Sequence, residues 1–223
     1  MLYNFPQCPA CYEFEIREHP DTHIIERKGI EYVKCWNCNT IFSEMLDNSD
    51  KVGGNEEISR NLSANNTRVE RVKYMLSFTP APHFVLDYGC GHGYLVNDLD
   101  AIDHISAFGY DKYDPRQTYI PDIKFDMVTM VEVIEHMSAP LEDLQKIYEL
   151  LKPGGFIMIE TSFTDVADEL GIQYEDFEYI DPYLGHCTIF SHKGLDIVMS
   201  RFNFVLDTIV NRNVRIYRKV LAL

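Results

Sequence analysis

The chain has 223 residues, 46% of them hydrophobic and 13% aromatic, which is enough for one filled core and a small additional unit. No apolar run approaches the roughly 20 residues of a membrane-spanning helix, and the opening MLYNFPQCPAC lacks the basic and apolar parts of a secretory signal. We therefore expect a cytoplasmic protein. The formal net charge of −15 would repel a phosphate backbone and so disfavours a nucleic-acid partner.

Two C-x-x-C motifs stand near the N-terminus, at residues 8–11 and 35–38. Two such motifs around a short two-stranded stretch are typical of a zinc ribbon, where each tight turn supplies two thiolates to a tetrahedral site. A reducing cytosol disfavours disulfides, and a redox dithiol needs only one such motif. We predict a zinc ribbon over residues 1–46 with structural zinc. The predicted ligands are Cys8, Cys11, Cys35 and Cys38.

Residues 47–67 are polar and rich in Asn, Ser and Gly, which favours a connector. Because the segment precedes a glycine-rich loop, where a flap over a ligand would attach, a lid is the alternative. Apolar residues then recur at helical spacing from Val69 to Leu76, before Pro80 ends the pattern. We take residues 68–223 as a second domain that begins with this helix.

The stretch Phe84–Gly93, FVLDYGCGHG, combines a short apolar strand with a glycine-rich loop. Glycine lets the backbone turn tightly and approach a ligand, and the free N–H groups of a following helix would face that ligand. The dinucleotide pattern G-x-G-x-x-G has Tyr94 at its third glycine position, so a nicotinamide cofactor fits poorly. The pattern that fits is D-x-G-x-G-x-G.

Further strands follow in an alternating order. Ser106–Tyr110 predicts a second strand that ends at Asp111, where an acidic residue is placed to bind ribose hydroxyls, although a turn aspartate is the alternative. Phe125–Val131 and Phe156–Glu160 predict two more buried strands. Between these two strands lies an amphipathic helix, and the sequence KPGG at 152–155 is predicted to follow its end.

The end of the chain predicts a helix, Ser191–Arg201, and two strands, Asn203–Val210 and Val214–Val220. The connection between the strands is so short that they must be antiparallel. The sequence therefore predicts an α/β protein: a Rossmann-like doubly wound sheet with a C-terminal antiparallel hairpin, preceded by a small zinc ribbon.

From about Arg68 to Leu223, the D-x-G-x-G-x-G loop, the stretches FDMVTMVEVIEHM and LLKPGGFIMIE and the final hairpin together resemble class I S-adenosylmethionine-dependent methyltransferases. The resemblance implies S-adenosylmethionine as cofactor. It also implies a third strand that is short or hard to place, because little sequence separates the second strand from the next. The cofactor-binding residues that it implies are Asp87, Gly89, Gly91, Gly93, Asp111 and Val131.

Glu132, Glu135 and His136 directly follow a predicted strand and would share one face of a helical turn, at the sheet edge where ligands gather. A second histidine, His186, follows the last parallel strand. This set resembles quinone-ring O-methyltransferases and small-RNA 2′-O-methyltransferases, in which E-x-x-E-H and a later histidine hold magnesium. The same motif also occurs in relatives with no metal.

The whole layout most resembles sugar and natural-product methyltransferases with N-terminal zinc ribbons, in which a histidine acts as base without a metal. Three hypotheses stay open, and the first is favoured: His186 as general base, with Glu132 and His136 also in the catalytic set; a divalent ion; or structural histidines. The divalent ligands would be Glu132, Glu135, His136 and His186, with Mg²⁺ as the ion.

We expect methylation of a small metabolite, at a hydroxyl or carbon of a sugar nucleotide or glycan precursor. An RNA methyltransferase, either metal-dependent 2′-O or tRNA-directed, with the ribbon as an RNA clamp, is the first alternative, and the negative charge argues against it. A methyltransferase-like binding module that recruits a partner is the second. The intact glycine loop and Asp111 argue against that module.

Overall fold

The structure is a computed structural model that describes residues 7–13, 16–43, 62–137 and 140–221. Its N-terminal part is an antiparallel sheet, and the fourth strand of that sheet is a short pair of residues, Thr188–Ile189, from far along the chain. The first three strands are β1 (His23–Arg27), β2 (Ile30–Lys34) and β3 (Ile41–Phe42).

The remainder of the chain alternates helices and strands. The helices are α1 (Leu62–Leu76), α2 (Tyr94–Asp100), α3 (Pro140–Leu150), α4 (Thr164–Leu170) and α5 (His192–Arg201). The strands are β4 (His83–Tyr88), β5 (Ile105–Tyr110), β6 (Phe125–Val131), β7 (Leu151–Glu160), β8 (Thr188–Ile189), β9 (Phe204–Asn211) and β10 (Val214–Lys219). Among the helices within the described ranges, none combines the length and apolar character needed to cross a membrane.

A six-stranded sheet forms the centre of the fold, in the order β5-β4-β6-β7-β10-β9. Strands β4, β5, β6 and β7 are parallel, and β10 is antiparallel to both β7 and β9. The prediction of a Rossmann-like sheet with a final antiparallel hairpin is confirmed. Residues 111–124 are all described and contain no strand, which leaves β5 at one edge of the sheet and agrees with the expectation for the third strand.

Helix α1 begins at Leu62, inside the segment 47–67 that the sequence assigned to a connector. The polar residues of its first turns are in part buried: Asn65 accepts a hydrogen bond of 3.0 Å from Nη1 of Arg68, and both side chains are shielded from solvent. Polar composition therefore does not mark a loop here. Residues 44–61, which carry the rest of that prediction and the boundary at residue 46, lie outside the described residues.

The KPGG segment was expected to follow the helix as a turn, but it lies within strand β7, which begins at Leu151. Leu151 pairs with Phe125 and Phe156 with Met127, so the intervening residues bulge out of the ladder. Nζ of Lys152 lies 2.8 Å from each carboxylate oxygen of Asp126 and fixes the bulge to the neighbouring strand. A β-strand with a bulge can thus contain a Lys-Pro-Gly-Gly sequence, although this sequence usually follows the end of a helix.

The N-terminal sheet, with the cysteine-bearing turns before and after its first two strands, is called the ribbon below. It shares its core with the larger sheet, because Ile25, Val33 and Ile41 belong to one continuous buried cluster that also contains residues of β4, β6 and β7. Helix α5 lies directly against the ribbon: a Cβ added at Gly194 would stand 2.1 Å from Oγ1 of Thr40. The ribbon is therefore built into the fold and has no separate core.

Candidate active site

The candidate site lies at the carboxyl edge of the parallel strands, where ligands bind in open α/β sheets. Strand β6 pairs with both β4 and β7, so the residues that end these three strands are neighbours. Asp87 of β4 is opposite Thr129 of β6, and Val131 of β6 is opposite Glu160 of β7. The glycine loop and the turn that begins at Glu132 leave the sheet side by side at this edge.

The three glycines of the loop have positive φ angles, 84° at Gly89, 52° at Gly91 and 76° at Gly93. The surroundings of Gly89 and Gly91 differ. A Cβ at Gly89 would lie 2.3 Å from Cγ2 of Val133, so this glycine lets the loop pack on the turn after β6. A Cβ at Gly91 would meet no atom within 4 Å, so this part of the loop borders open space that a ligand could fill.

Asp111, directly after β5, lies against the glycine loop; the sequence analysis proposed it as a ligand of ribose hydroxyls. Its Oδ2 accepts a hydrogen bond of 2.9 Å from the backbone N–H of Gly91. Its Oδ1 accepts hydrogen bonds from the backbone N–H groups of Tyr113, at 2.8 Å, and Asp114, at 3.1 Å. The carboxylate therefore holds two loops together, a role that sequence reasoning missed.

Asp87 is buried at the start of the loop and accepts a 2.6 Å hydrogen bond from the hydroxyl of Thr129. Burial raises the pKa of Asp87 to about 6, and the hydrogen bond from Thr129 and the positive charge of Arg68 oppose the rise. At pH 7 the group is mostly ionised. Asp87 thus supplies a buried negative charge directly behind the glycine loop.

Two arginines of α1 neutralise the carboxylate that ends β7. Arg68 donates to Oε1 of Glu160 from Nη2 at 2.7 Å and from Nε at 3.1 Å, and Arg71 donates to Oε2 at 2.8 Å. The sequence analysis placed only a core stripe on this helix and missed both arginines. Their spacing of three residues, together with an acidic residue at the end of FIMIE, was the available signal.

The acidic residues after β6 do not share one face of a helical turn, as the sequence analysis expected. Only Ile134–His136 form a short 3₁₀ turn, and Glu132 precedes it with φ of 54°. The hydroxyl of Tyr179 instead joins the two carboxylates, since it lies 2.9 Å from Oε2 of Glu132 and in close contact with Oε1 of Glu135. Tyr179 is a further residue that sequence reasoning missed.

A phenol has one proton and can donate to only one of these two carboxylates, so the other contact requires a proton on a carboxyl group. Burial and the adjacent charge of Glu135 raise the pKa of Glu132 to about 8. Burial also raises the pKa of Glu135, whose Oε2 accepts a 3.1 Å hydrogen bond from the hydroxyl of Thr161. The contact geometry and the raised pKa of Glu132 therefore place a shared proton on the pair at neutral pH.

Both predicted histidines lie beside this pair. Nδ1 of His186 lies 2.7 Å from the carbonyl oxygen of Tyr179, and Nδ1 of His136 lies 3.2 Å from that of Gly185. A carbonyl can only accept, so each Nδ1 carries the proton and the lone pair of the neutral ring is on Nε2. The ring of His186 packs against those of Tyr179 and His136, with centroids 4.5 Å and 4.8 Å away.

Burial holds both imidazoles in the neutral form. It lowers the pKa of His136 to about 4 and lowers the pKa of His186 below its ordinary value. His186 is only 5% exposed. The arrangement therefore presents a neutral, oriented imidazole next to a buried carboxyl pair, and such a group can accept a proton at Nε2.

Two groups within the described ranges could hold a metal ion. In the first, the ligand atoms of four buried cysteines lie within 4.8 Å of one another, with Sγ–Sγ distances of 3.6 Å for Cys8–Cys38 and 3.5 Å for Cys11–Cys35. These distances are close to the edge of a zinc–thiolate tetrahedron, about 3.8 Å. The donor set fits zinc.

The second group contains Glu135, His136 and His186, also within 4.8 Å, but it does not include Glu132. Magnesium prefers an octahedron of oxygen ligands, and this group offers one carboxylate, already occupied by two hydroxyl groups, and two imidazoles. The donor set fits Mg²⁺ poorly, so the predicted divalent site gains no support here.

Comparison with known proteins places the chain in a family. The family described as "Methyltransferase domain" matches residues 59–209. The chain belongs to this methyltransferase family. Two solved structures share its fold: S-adenosylmethionine-bound CalS10, an amino pentose methyltransferase from Micromonospora echinaspora, with TM-score 0.52 and 13% identity, and Streptomyces venezuelae DesVI, with 0.54 and 12%. Each match covers 74% of this chain and 95% of the other.

Curated relatives match over shorter stretches. A ubiquinone biosynthesis O-methyltransferase from Actinobacillus pleuropneumoniae is 33% identical over 34% of this chain and 44% of its own length. A tRNA U34 carboxymethyltransferase from Desulfotalea psychrophila is 30% identical over 36% of this chain and 26% of its own length. The chain thus spans less than half the length of these relatives, and the substrate must be argued from the methyltransferase's own site.

The proton shared by Glu132 makes the stability of this methyltransferase depend on pH. An unfolded glutamate ionises near pH 4.3, whereas Glu132 in the folded chain keeps its proton up to about pH 8. Between these values the folded state binds a proton that the unfolded state has lost, so the free energy of unfolding falls as pH rises. We expect Glu132→Gln to raise Tm by a few degrees at pH 8 and much less at pH 5.

Calorimetric melting of the wild type and the variant at both pH values checks this expectation. Glu169→Gln, at an exposed position of α4, is the matched control, and it should shift Tm equally at the two pH values. An E132Q effect that is the same at pH 5 and pH 8 would show that Glu132 does not hold the proton.

Proposed function

We propose that this methyltransferase transfers a methyl group from S-adenosylmethionine to a hydroxyl or an acidic carbon of a small metabolite, with His186 as general base. The observation that carries the proposal is the neutral His186 ring, whose Nδ1–H is held by the carbonyl of Tyr179 at the edge where the glycine loop leaves the sheet. A base in this state can take a proton without first losing one.

The cofactor would lie along the glycine loop. Open space at Gly91 and the tie between the loop and Asp111 suit a nucleoside ligand. When bound, S-adenosylmethionine supplies an electrophilic methyl group. The residues proposed to hold it are Asp87, Gly89, Gly91, Gly93, Asp111 and Val131.

His186 would accept the acceptor's proton at Nε2. Its low pKa keeps the ring neutral before the step, and the Tyr179 carbonyl stabilises the cation afterwards through the Nδ1–H bond. The adjacent carboxyl group of Glu132 further favours a cation there, and the His136 ring restricts how the base can turn. The carboxyl pair and His136 thus support the base, in the catalytic set that the sequence predicted.

We propose a sugar nucleotide or glycan precursor as the acceptor. The fold shared with an amino pentose methyltransferase and the local identity to a ubiquinone O-methyltransferase both support a small-molecule acceptor. The tRNA-directed relative supports an RNA substrate as the second candidate. The net charge of −15 makes RNA the weaker candidate, because a polyanion needs a basic surface.

We also propose that the cysteine cluster of the ribbon holds one structural zinc ion. All four thiols are buried, at distances that match a four-sulfur site, and the ribbon alone is too small to form a core.

The first test concerns the cofactor. Asp111→Ala removes the acceptor of three backbone hydrogen bonds that tie the glycine loop to the loop after β5, so affinity for S-adenosylmethionine should fall by ~10- to 100-fold in titration calorimetry. Asp103→Ala, at an exposed turn, is the control and should bind as the wild type does. Equal affinity of D111A and wild type would mean that the cofactor does not use this loop.

The second test concerns the base and uses a panel of nucleotide sugars with radiolabelled S-adenosylmethionine. His186→Gln should keep the affinity for S-adenosylmethionine, while turnover falls by ~10²–10⁴. Chelators that leave the ribbon zinc in place should have no effect. Loss of turnover on chelation, with recovery on adding Mg²⁺ or Mn²⁺, would replace the base by a metal site, and full activity of H186Q would eliminate both mechanisms.

The third test concerns zinc. Elemental analysis of reduced protein should find one zinc per chain, and Cys35→Ser should remove it and lower Tm, because the metal is coupled to folding of the ribbon. Cys90→Ala, which removes a buried thiol outside the cluster, should keep one zinc. Freshly purified reduced protein without zinc would contradict the proposal.

A further inference from the structure

The ribbon reaches the segment that carries His186 at several points. The hydroxyl of Tyr32, on β2, donates a 2.8 Å hydrogen bond to the backbone carbonyl of His186 itself. The backbone N–H of Ser43 donates to the carbonyl of Cys187 at 2.9 Å, and β3 then pairs with Thr188 and Ile189. His186 therefore lies directly before the segment 187–189, whose backbone is hydrogen-bonded to the ribbon.

The hairpin between β1 and β2 holds the other end of the same segment. Nε of Arg27 donates to the carbonyl of Ile180 at 3.1 Å, and Nζ of Lys28 lies 2.5 Å from Oδ2 of Asp181. The carbonyl of Asp181 in turn accepts a 3.1 Å hydrogen bond from the backbone N–H of His186. The N–H and the C=O of His186 are thus both tied to groups that the ribbon holds.

We propose that the ribbon is the positioning element of the general base and that Tyr32 is its positioning residue. Tyr32 is fully buried, so the surrounding side chains fix the position of its hydroxyl and shield its hydrogen bond from water. The backbone of His186 sets where the ring can lie between Tyr179 and His136, and a small displacement of Nε2 is enough to impair proton transfer. This inference rests on the proposed role of His186 as base.

Tyr32→Phe tests the proposal, because it removes one hydroxyl and leaves the ring. We expect turnover with the nucleotide-sugar panel to fall by ~10- to 100-fold, with the affinity for S-adenosylmethionine unchanged. The ¹⁵N signals of the His186 ring, assigned by their loss in His186→Gln, should shift away from the pattern of a ring protonated at Nδ1.

Tyr12→Phe is the matched control. Tyr12 also lies in the ribbon, and its buried hydroxyl has no hydrogen-bond partner among the described residues. It makes the same chemical change without touching the His186 segment, so turnover and the ring signals should stay as in the wild type. If Y12F impairs turnover as much as Y32F does, the effect belongs to general ribbon stability and the proposal is overturned.

The double variant Y32F/H186Q separates this proposal from the one on which it rests. If Tyr32 acts through His186, the double variant should be no slower than H186Q alone. If H186Q is fully active, the base assignment fails, whatever Y32F does. If H186Q is inactive and Y32F has wild-type turnover and ring signals, the base stands and the positioning role is overturned.

Y32F could be unfolded, and loss of S-adenosylmethionine binding would reveal this. In that case a second variant tests the proposal. Arg27→Gln with Lys28→Gln breaks the hairpin contacts at positions that are not in the core. We expect this pair to lower turnover several-fold without changing the affinity for S-adenosylmethionine. Wild-type turnover in this variant would overturn the proposal.

Discussion

Parallel strands end at one edge of a sheet, and this constraint governs the chemistry of the site. It gathers the carboxylates of Asp87, Glu132 and Glu160 at the ends of three adjacent strands, where burial makes uncompensated charge costly. Each charge is handled differently. Glu160 is paired with two arginines, Asp87 keeps its charge beside a hydroxyl, and Glu132 shares a proton with Glu135. The contacts around this edge therefore offset the cost of burying three carboxylates.

The shared proton also explains why a tyrosine stands at the centre of the site. The Tyr179 hydroxyl joins the two carboxylates, and the Tyr179 backbone carbonyl orients His186. One residue therefore fixes the charge state of the acids and the tautomer of the base. Moving the tyrosine would alter both, so the acid pair and the histidine behave as one unit.

Local sequence patterns were sufficient for much of this fold. Strands β4 and β6, the final hairpin and the paired cysteines all follow from apolar runs, glycines and spacing within a few residues. The bulge of β7 was not foreseen, because KPGG breaks most elements and only its pairing with β6 shows that the strand continues through it. The buried start of α1 was hidden for a similar reason, since Asn65 is compensated by Arg68, and Arg68 is held in turn by Glu160, far along the chain.

The site was predictable only in part. The sequence named the glycine loop, Asp111, the E-V-I-E-H stretch and His186, because their types and positions suggest chemistry. It missed Tyr179 and Tyr32, because buried tyrosines are common in protein cores. Their roles also depend on contacts with residues far along the chain. No local pattern records that β3 pairs with β8, because each is only two residues long.

That pairing has a consequence for how the chain is made. The cysteine turns and the β1–β2 hairpin join residues that are close in sequence, so their contacts do not have to wait for the distant strands. Strand β3 must keep an unpaired edge until Thr188 and Ile189, far along the chain, have been synthesised. During that interval the nascent chain carries an open strand edge, and such an edge can pair with the strands of other chains.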